Sequence, residues 1–113
     1  VLQYFHAILS LSLTATSVFD AHDLVDFNDA KITADDQPVK AVAQNPATEL
    51  GLQVAGTALG YHRVRSRGAI TAGTKVISAA QGGVKAAVAN SANPFATALT
   101  SAADGEFIDI LIR

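Results

Sequence analysis

The sequence contains no cysteine, methionine or tryptophan, so neither a disulfide framework nor a thiolate metal site can hold it together. Stability must come from packing or from assembly with other subunits. Charge is also scarce. Charged residues make up 16% of the 113 positions, and eight Lys and Arg against ten Asp and Glu leave a net charge of -2. That balance offers no broad basic field to a phosphate backbone, which argues against nucleic acid as a partner. No run reaches the roughly 18 apolar residues that a membrane-spanning helix needs, so no membrane partner is expected. Aromatics are only 6% although 50% of the chain is hydrophobic, because Ala and Val supply much of that share. The core must be built from small side chains.

The length suits one domain spanning residues 1–113, long enough to bury a core of its own. Residues 1–7 (VLQYFHA) carry Tyr4 and Phe5, which serve either as local core or as an N-terminal arm that anchors on a neighbour. The apolar stretch Ala7 to Val18 lacks the basic flank of a secretory signal. It also alternates, with Leu9, Leu11, Leu13 and Ala15 set against Ser10, Ser12, Thr14 and Thr16. A period of two is the mark of a strand with one apolar and one hydroxylated face.

Further strand signals follow at short intervals. Val18 to Phe27 and Lys31 to Ala34 flank Asn28-Asp29 as a hairpin, and Val39 to Ala43 is a short strand closed by Asn45-Pro46. Leu50, Leu52 and Val54 alternate before Gly56, and the next run, Thr57 to Arg67, continues as a strand. Lys75 to Ala79 pairs with Val84 to Ala89 across Gln81-Gly82-Gly83, since tight hairpins favour glycine. Phe95 to Thr100 is short, and Asp104-Gly105 leads into the β-branched run Glu106 to Ile112. Turn signals recur too closely for helices of ordinary length. The expected fold is all-β, a small antiparallel barrel or sandwich of short strands with Gly-rich turns and little or no helix.

Candidate chemistry is thin. Gly68 to Lys75 (GAITAGTK) approaches the phosphate-binding pattern G-x-x-x-x-G-K-[ST], but Thr74 precedes Lys75 and no helix follows, so a turn between strands is expected. His6, His22 and His62 lie far apart with no ligand spacing between them, and read as solvated loop histidines. Asp35-Asp36 beside Pro38 read as a solvated turn. No G-x-S-x-G elbow occurs. No catalytic residue, cofactor site or metal site is assigned, and the chain is not expected to be an enzyme. Arg63, Arg65 and Arg67 are the most informative charges, because alternate spacing throws all three guanidinium groups to one side of a strand. There they either solubilise a sheet edge or fork onto carboxylates of a neighbouring subunit. The early aspartates Asp20, Asp23, Asp26, Asp29, Asp35 and Asp36 suit such contacts between subunits.

The order of segments in the second half carries a resemblance. Gly68-Ala69-Ile70-Thr71-Ala72-Gly73-Thr74-Lys75-Val76, then Gly82-Gly83-Val84, then Ala98-Leu99-Thr100-Ser101-Ala102 and Gly105-Glu106-Phe107-Ile108-Asp109-Ile110-Leu111 resembles the small head decoration, or capsid cement, proteins of tailed bacteriophages. One departure is Phe95 to Leu99, where those chains often place a glycine before the Ala-Leu pair. The resemblance implies a compact tulip-like β module that forms a homotrimer. It implies that the module is assembled in the host cytoplasm, sits on the outer capsid surface of the virion and stabilises the head by bridging major capsid protein subunits. It supplies no catalytic residue. The alternative is a secreted or cell-surface, adhesin-like β module with an N-terminal targeting segment.

Overall fold

The computed structural model describes residues 5–80 and 82–112. Among these residues there are eight strands and no helix. They are β1 (Phe5–Thr14), β2 (Leu24–Val25), β3 (Ala41–Ala43), β4 (Gln53–Arg65), β5 (Lys75–Ser78), β6 (Val84–Ala86), β7 (Ala96–Ala98) and β8 (Phe107–Ile112). The all-β antiparallel fold expected from the sequence is the fold observed. The strands form one sheet in the order β2-β3-β4-β8-β7-β5-β6, with β1 added to β4 off that path. A parallel bridge between Ser66 and Val84 brings β6 back to the end of β4, so the sheet curls on itself.

The 13-residue strand β4 is the spine. One of its edges carries β1 along Gln53 to His62. The other is shared end to end, by β3 at Gly56 and Thr57 and by β8 from Gly60 to Arg65. Gly56 therefore lies inside one continuous strand and does not end a first one. It fits because its neighbours crowd the space a side chain would need, Leu13 Cδ1 and Ala41 Cβ lying 2.7 and 2.9 Å from where a Cβ would stand.

Two extra residues make the β1–β4 ladder irregular. Ala7 faces Gly60 and Leu9 faces Leu59, so β1 carries Ile8 as an insertion; Ser10 then faces Thr57, so β4 carries Ala58. The insertions lie on opposite strands and cancel, and the original register resumes. Each also flips the side-chain alternation of its own strand, because the period is two. Val54 and Val64 share the same parity, yet Val54 packs with Leu13, Ala41 and Ala43, whereas Val64 packs with Val42, Ile108 and Ile110. Adjacent residues of β2 (Leu24, Val25) and of β3 (Ala41, Val42) divide between the same two clusters. The clusters thus occupy opposite faces of the sheet. The larger, rich in Val and Ile, fills the curl; the smaller lies beneath the excursion that includes Phe19 and Ala47.

Of residues 1–7, where an arm is one expectation, Phe5 to Ala7 are strand. Phe5, His6 and Ala7 pair with His62, Tyr61 and Gly60. Phe5 stacks on the His62 ring at 5.3 Å and 12°, so within the described residues it is part of the fold. Tyr4 lies outside the described residues. The early aspartates also turn inward on their own chain. Asp26 accepts from the backbone of Asn28 and Ala30 and from Gln37, while Asp29 accepts from Lys40. Asp36 caps the amides of Ala92 and Asn93, and Asp35 takes Ala80 N and Lys85 Nζ, whose hydrogen bonds hold its carboxyl below the usual range. These two neighbouring acids are ties between loops, not a merely solvated turn.

Candidate interaction surface

The pairing of β4 with β8 sets Tyr61 opposite Leu111, Arg63 opposite Asp109 and Arg65 opposite Phe107. The intervening residues His62, Val64, Ile108 and Ile110 are fully or almost fully buried, so the alternate set faces outward. Arg63 Nε donates to Asp109 Oδ1 at 3.0 Å, and the Tyr61 hydroxyl donates to the same oxygen at 3.1 Å. Burial first, and then the carboxylate of Asp109, push the Tyr61 phenol above its usual pKa. Arg65 lies over the Phe107 ring, 4.2 Å from its centroid, and Arg65 Nη1 donates to the Gly105 carbonyl at 2.6 Å. Arg67 Nε donates to the Gly82 carbonyl at 3.0 Å. The three arginines line one side, as their spacing predicts. Each, however, places a donor on an acceptor of its own chain, and the carboxylate that Arg63 forks onto is the internal Asp109.

Apolar side chains remain outside this polar row. Ile8 is 75% exposed on its bulge, with Leu9, Leu59 and Phe107 between 37% and 48%. Among the described residues no strand but β4 pairs with β1, so its second edge is open to a further strand up to Thr14, whose amide donates to Asp29. An open edge beside exposed apolar residues is a template for adding a strand.

A second feature escaped the sequence reading. His22, in the loop between β1 and β2, and His62 of β4 meet at 2.9 Å between His22 Nδ1 and His62 Nε2. His62 has no exposed surface. Its Nδ1 lies 3.1 Å from Thr57 Oγ1, which also accepts from Gln44 Nε2 at 2.9 Å. Burial, and then the neighbouring His22, pull the His62 pKa down to about 3. His22 is lowered too, by burial and by Arg63, against the upward pull of Asp23. These two histidines are therefore a packed pair and not solvated loop residues. The loop's bond to Ala43 of β3, which itself pairs with β4, brings together positions 40 residues apart. His22 borders a cleft of about 270 Å³ whose walls include Arg65, Arg67, Lys31 and Phe107. No group of three or more His, Asp or Glu side chains suited to a metal ion occurs among the described residues.

The near-match to a phosphate loop has no phosphate geometry. Gly68 N donates to Asp104 Oδ1 and Gly73 N to the Ala98 carbonyl, so these amides serve the protein itself, and strand β5 follows where a helix would be needed.

No family model matches the chain, and no curated protein matches it. Among solved structures it is similar to the crystal structure of the N base of head fiber gp8.5 in bacteriophage phi29. The TM-score is 0.72 at 20% identity, covering 93% of this chain and 93% of that one. At that identity the likeness is one of fold, shared over nearly the full length of both chains. The neighbour is a phage head protein, in keeping with the resemblance carried by the order of segments in the second half.

Proposed function

We propose that the chain is a structural protein of a phage virion that binds the outer surface of the head, bridges major capsid subunits and stabilises the shell. The observation that carries this reading is the fold shared, nearly end to end, with the base of a phage head fiber. The order of turn and strand segments in residues 68–111 points the same way. In this reading the role is mechanical, not catalytic. The side chains best suited to chemistry are spent on holding the fold: Asp26, Asp29, Asp35 and Asp36 tie loops, and Asp109 binds Arg63 and Tyr61.

The outward row Tyr61, Arg63 and Arg65, with Leu59 and the open edge of β1, is the surface we assign to contacts with other subunits. Assembly as a homotrimer would let modest contacts suffice, since three linked sites raise avidity by about a hundredfold or more without a strong single interface. The test is to mix purified protein with expanded heads that lack it and to image the particles. Density at fixed positions on the shell is the expected result, and bare shells at saturating protein would overturn the reading. A native mass showing only monomer would remove the trimer and leave the head-binding claim to the first assay.

The secreted, adhesin-like alternative meets a specific obstacle. It needs the apolar N-terminal segment as a removable targeting sequence, yet that segment is β1, whose Leu13 is fully buried in the smaller core. Mass spectrometry of the mature N-terminus separates the two, because cleavage after the apolar run is incompatible with that strand.

A further inference from the structure

The contact between His22 and His62 has a proton count built into it. A neutral imidazole carries one N–H and one bare nitrogen. Between His22 Nδ1 and His62 Nε2, 2.9 Å apart, there is room for one hydrogen. The neutral pair supplies it from either ring. A singly protonated pair also satisfies the contact, with the charged ring donating to the neutral one. A doubly protonated pair places two N–H groups head to head, and the hydrogen bond becomes a repulsion between two cations.

The surroundings decide how readily protons enter. Facing His62 are the Phe5 ring from β1 and the Thr57 hydroxyl from β4, neither of which compensates a charge. Facing His22 are Asp23 of its own loop, Arg63 of β4 and the Phe107 ring of β8. Lys31 lies 3.5 Å from Asp23 and takes up part of that carboxylate's field, while Arg65 and Arg67 line the adjoining cleft with Asp20. The backbone of His22 is held in the left-handed region, φ 70°, where residues other than glycine are uncommon. Its N–H donates to the Ala43 carbonyl at 2.8 Å. Next to it Ala43 N donates to the Asp23 carbonyl at 2.9 Å and Lys31 pairs with the Asp23 carboxylate at 3.5 Å, so the ring contact of His22 is the tie of this loop that a proton can act on.

We propose that the His22–His62 pair is a proton-operated latch, which when neutral fastens the loop at residues 20–23 to β4 and when acidified releases it while the core of the sheet stays folded. The sign follows from where the proton binds more tightly. Burial lowers both histidines while the loop is closed, so opening, which returns His22 to water and uncovers the Nε2 edge of His62, lets the pair bind protons at higher pH. Closure is complete above the ordinary histidine value near 6.5 and weakens as pH falls from there toward the value of about 3 held by His62. The two rings titrate as a coupled unit, with the less buried His22 taking the first proton. Release would open the wall of the cleft beside Arg65 and Phe107. This inference concerns the loop itself and stands whatever surface the chain docks on.

Hydrogen exchange on the full chain tests it, with rates corrected for the intrinsic pH dependence of exchange. From about pH 7.5 to about pH 4.5, protection of the His22 amide is expected to fall, by up to about tenfold per pH unit below 6.5 for each proton that opening takes up. Amides of Ile108 and Ile110 should keep theirs over the same range. In H22Q, which leaves His62 alone to titrate, the loop's protection should be lower and its fall with acidification shallower than in the unaltered protein. A His22 amide whose protection is flat across this range in the unaltered protein would overturn the latch, as would the same slope in H22Q. Parallel loss at Ile108 and Ile110 would also overturn it, by showing global unfolding. The titration of the unaltered protein decides the matter even if H22Q fails to fold.

Discussion

Replacing Gly60 with Ala tests whether the paired bulges of β1 and β4 are as tight as the geometry implies. Gly60 has φ +119°, and a Cβ added there would collide with the His6 carbonyl oxygen and stand 2.9 Å from Ile8 N. Both obstacles are backbone, which cannot swing aside as a flexible side chain can. The positive φ costs about 1–2 kcal/mol for any L side chain. Relieving the collision requires β1 to move off β4 near Ala7 and Ile8, at about 1 kcal/mol net for each ladder bond lost. With two such bonds broken the total is about 4 kcal/mol, a large part of the 5–15 kcal/mol that holds a domain of this kind. The control is Gly51→Ala. Gly51 also has positive φ, +84°, but nothing lies within 4 Å of the added atom, so only the backbone cost of about 1–2 kcal/mol applies. Urea unfolding followed by far-ultraviolet circular dichroism gives both values, and melting should separate the variants by roughly 10 °C at about 4 °C per kcal/mol. Equal losses for the two variants would refute the argument, because the collision would then cost nothing.

Two further outcomes follow from packing and charge. Ile110 is fully buried on β8 between β4 and β7, so I110A should lose about 2–5 kcal/mol and I110V about 0.5–1.5 kcal/mol in urea unfolding. A loss below 0.5 kcal/mol for I110A would mean that the centre of the curl is not packed. Asp109→Asn should change stability by no more than about 1 kcal/mol, since the Arg63–Asp109 pair is partly exposed. The same change should lower the pKa of Tyr61, because a carboxylate that accepts from the phenol favours its protonated form. Ultraviolet titration of the phenol, assigned by a Tyr4→Phe background, reads this directly, and an unmoved midpoint would mean that burial alone sets the value.

Much of the strand order was legible because its signals are local. Glu106 to Ile112 alternates and is β-branched, and β8 forms there. Lys75 to Ala79 and Val84 to Ala89 flank glycines, and β5 pairs with β6. Serines and leucines alternate from Leu9, and β1 covers them, starting earlier at Phe5 because Gly60 to His62 offer an edge to pair with. Other features were not legible because they depend on partners remote in sequence. Nothing beside Gly56 in the sequence tells that it lies mid-strand where Leu13 and Ala41 close over it. The spacing of Arg63, Arg65 and Arg67 did predict a common side. It could not show that Asp109, Gly105 and Gly82 would be the acceptors.

The sequence by itself determined the class of fold. Alternation with a period of two, frequent turn residues and a shortage of long apolar runs leave few arrangements other than short antiparallel strands, and the absence of cysteine obliges them to cohere by packing. Tertiary structure decided everything that turns on register. One inserted residue in each of β1 and β4 reverses which side chains face which core, a choice no pattern along a single strand reveals. The pairing of β3 with β4 likewise sets His22 against His62, since a hydrogen bond across 40 residues depends on where two strands and a loop meet and not on the spacing between them.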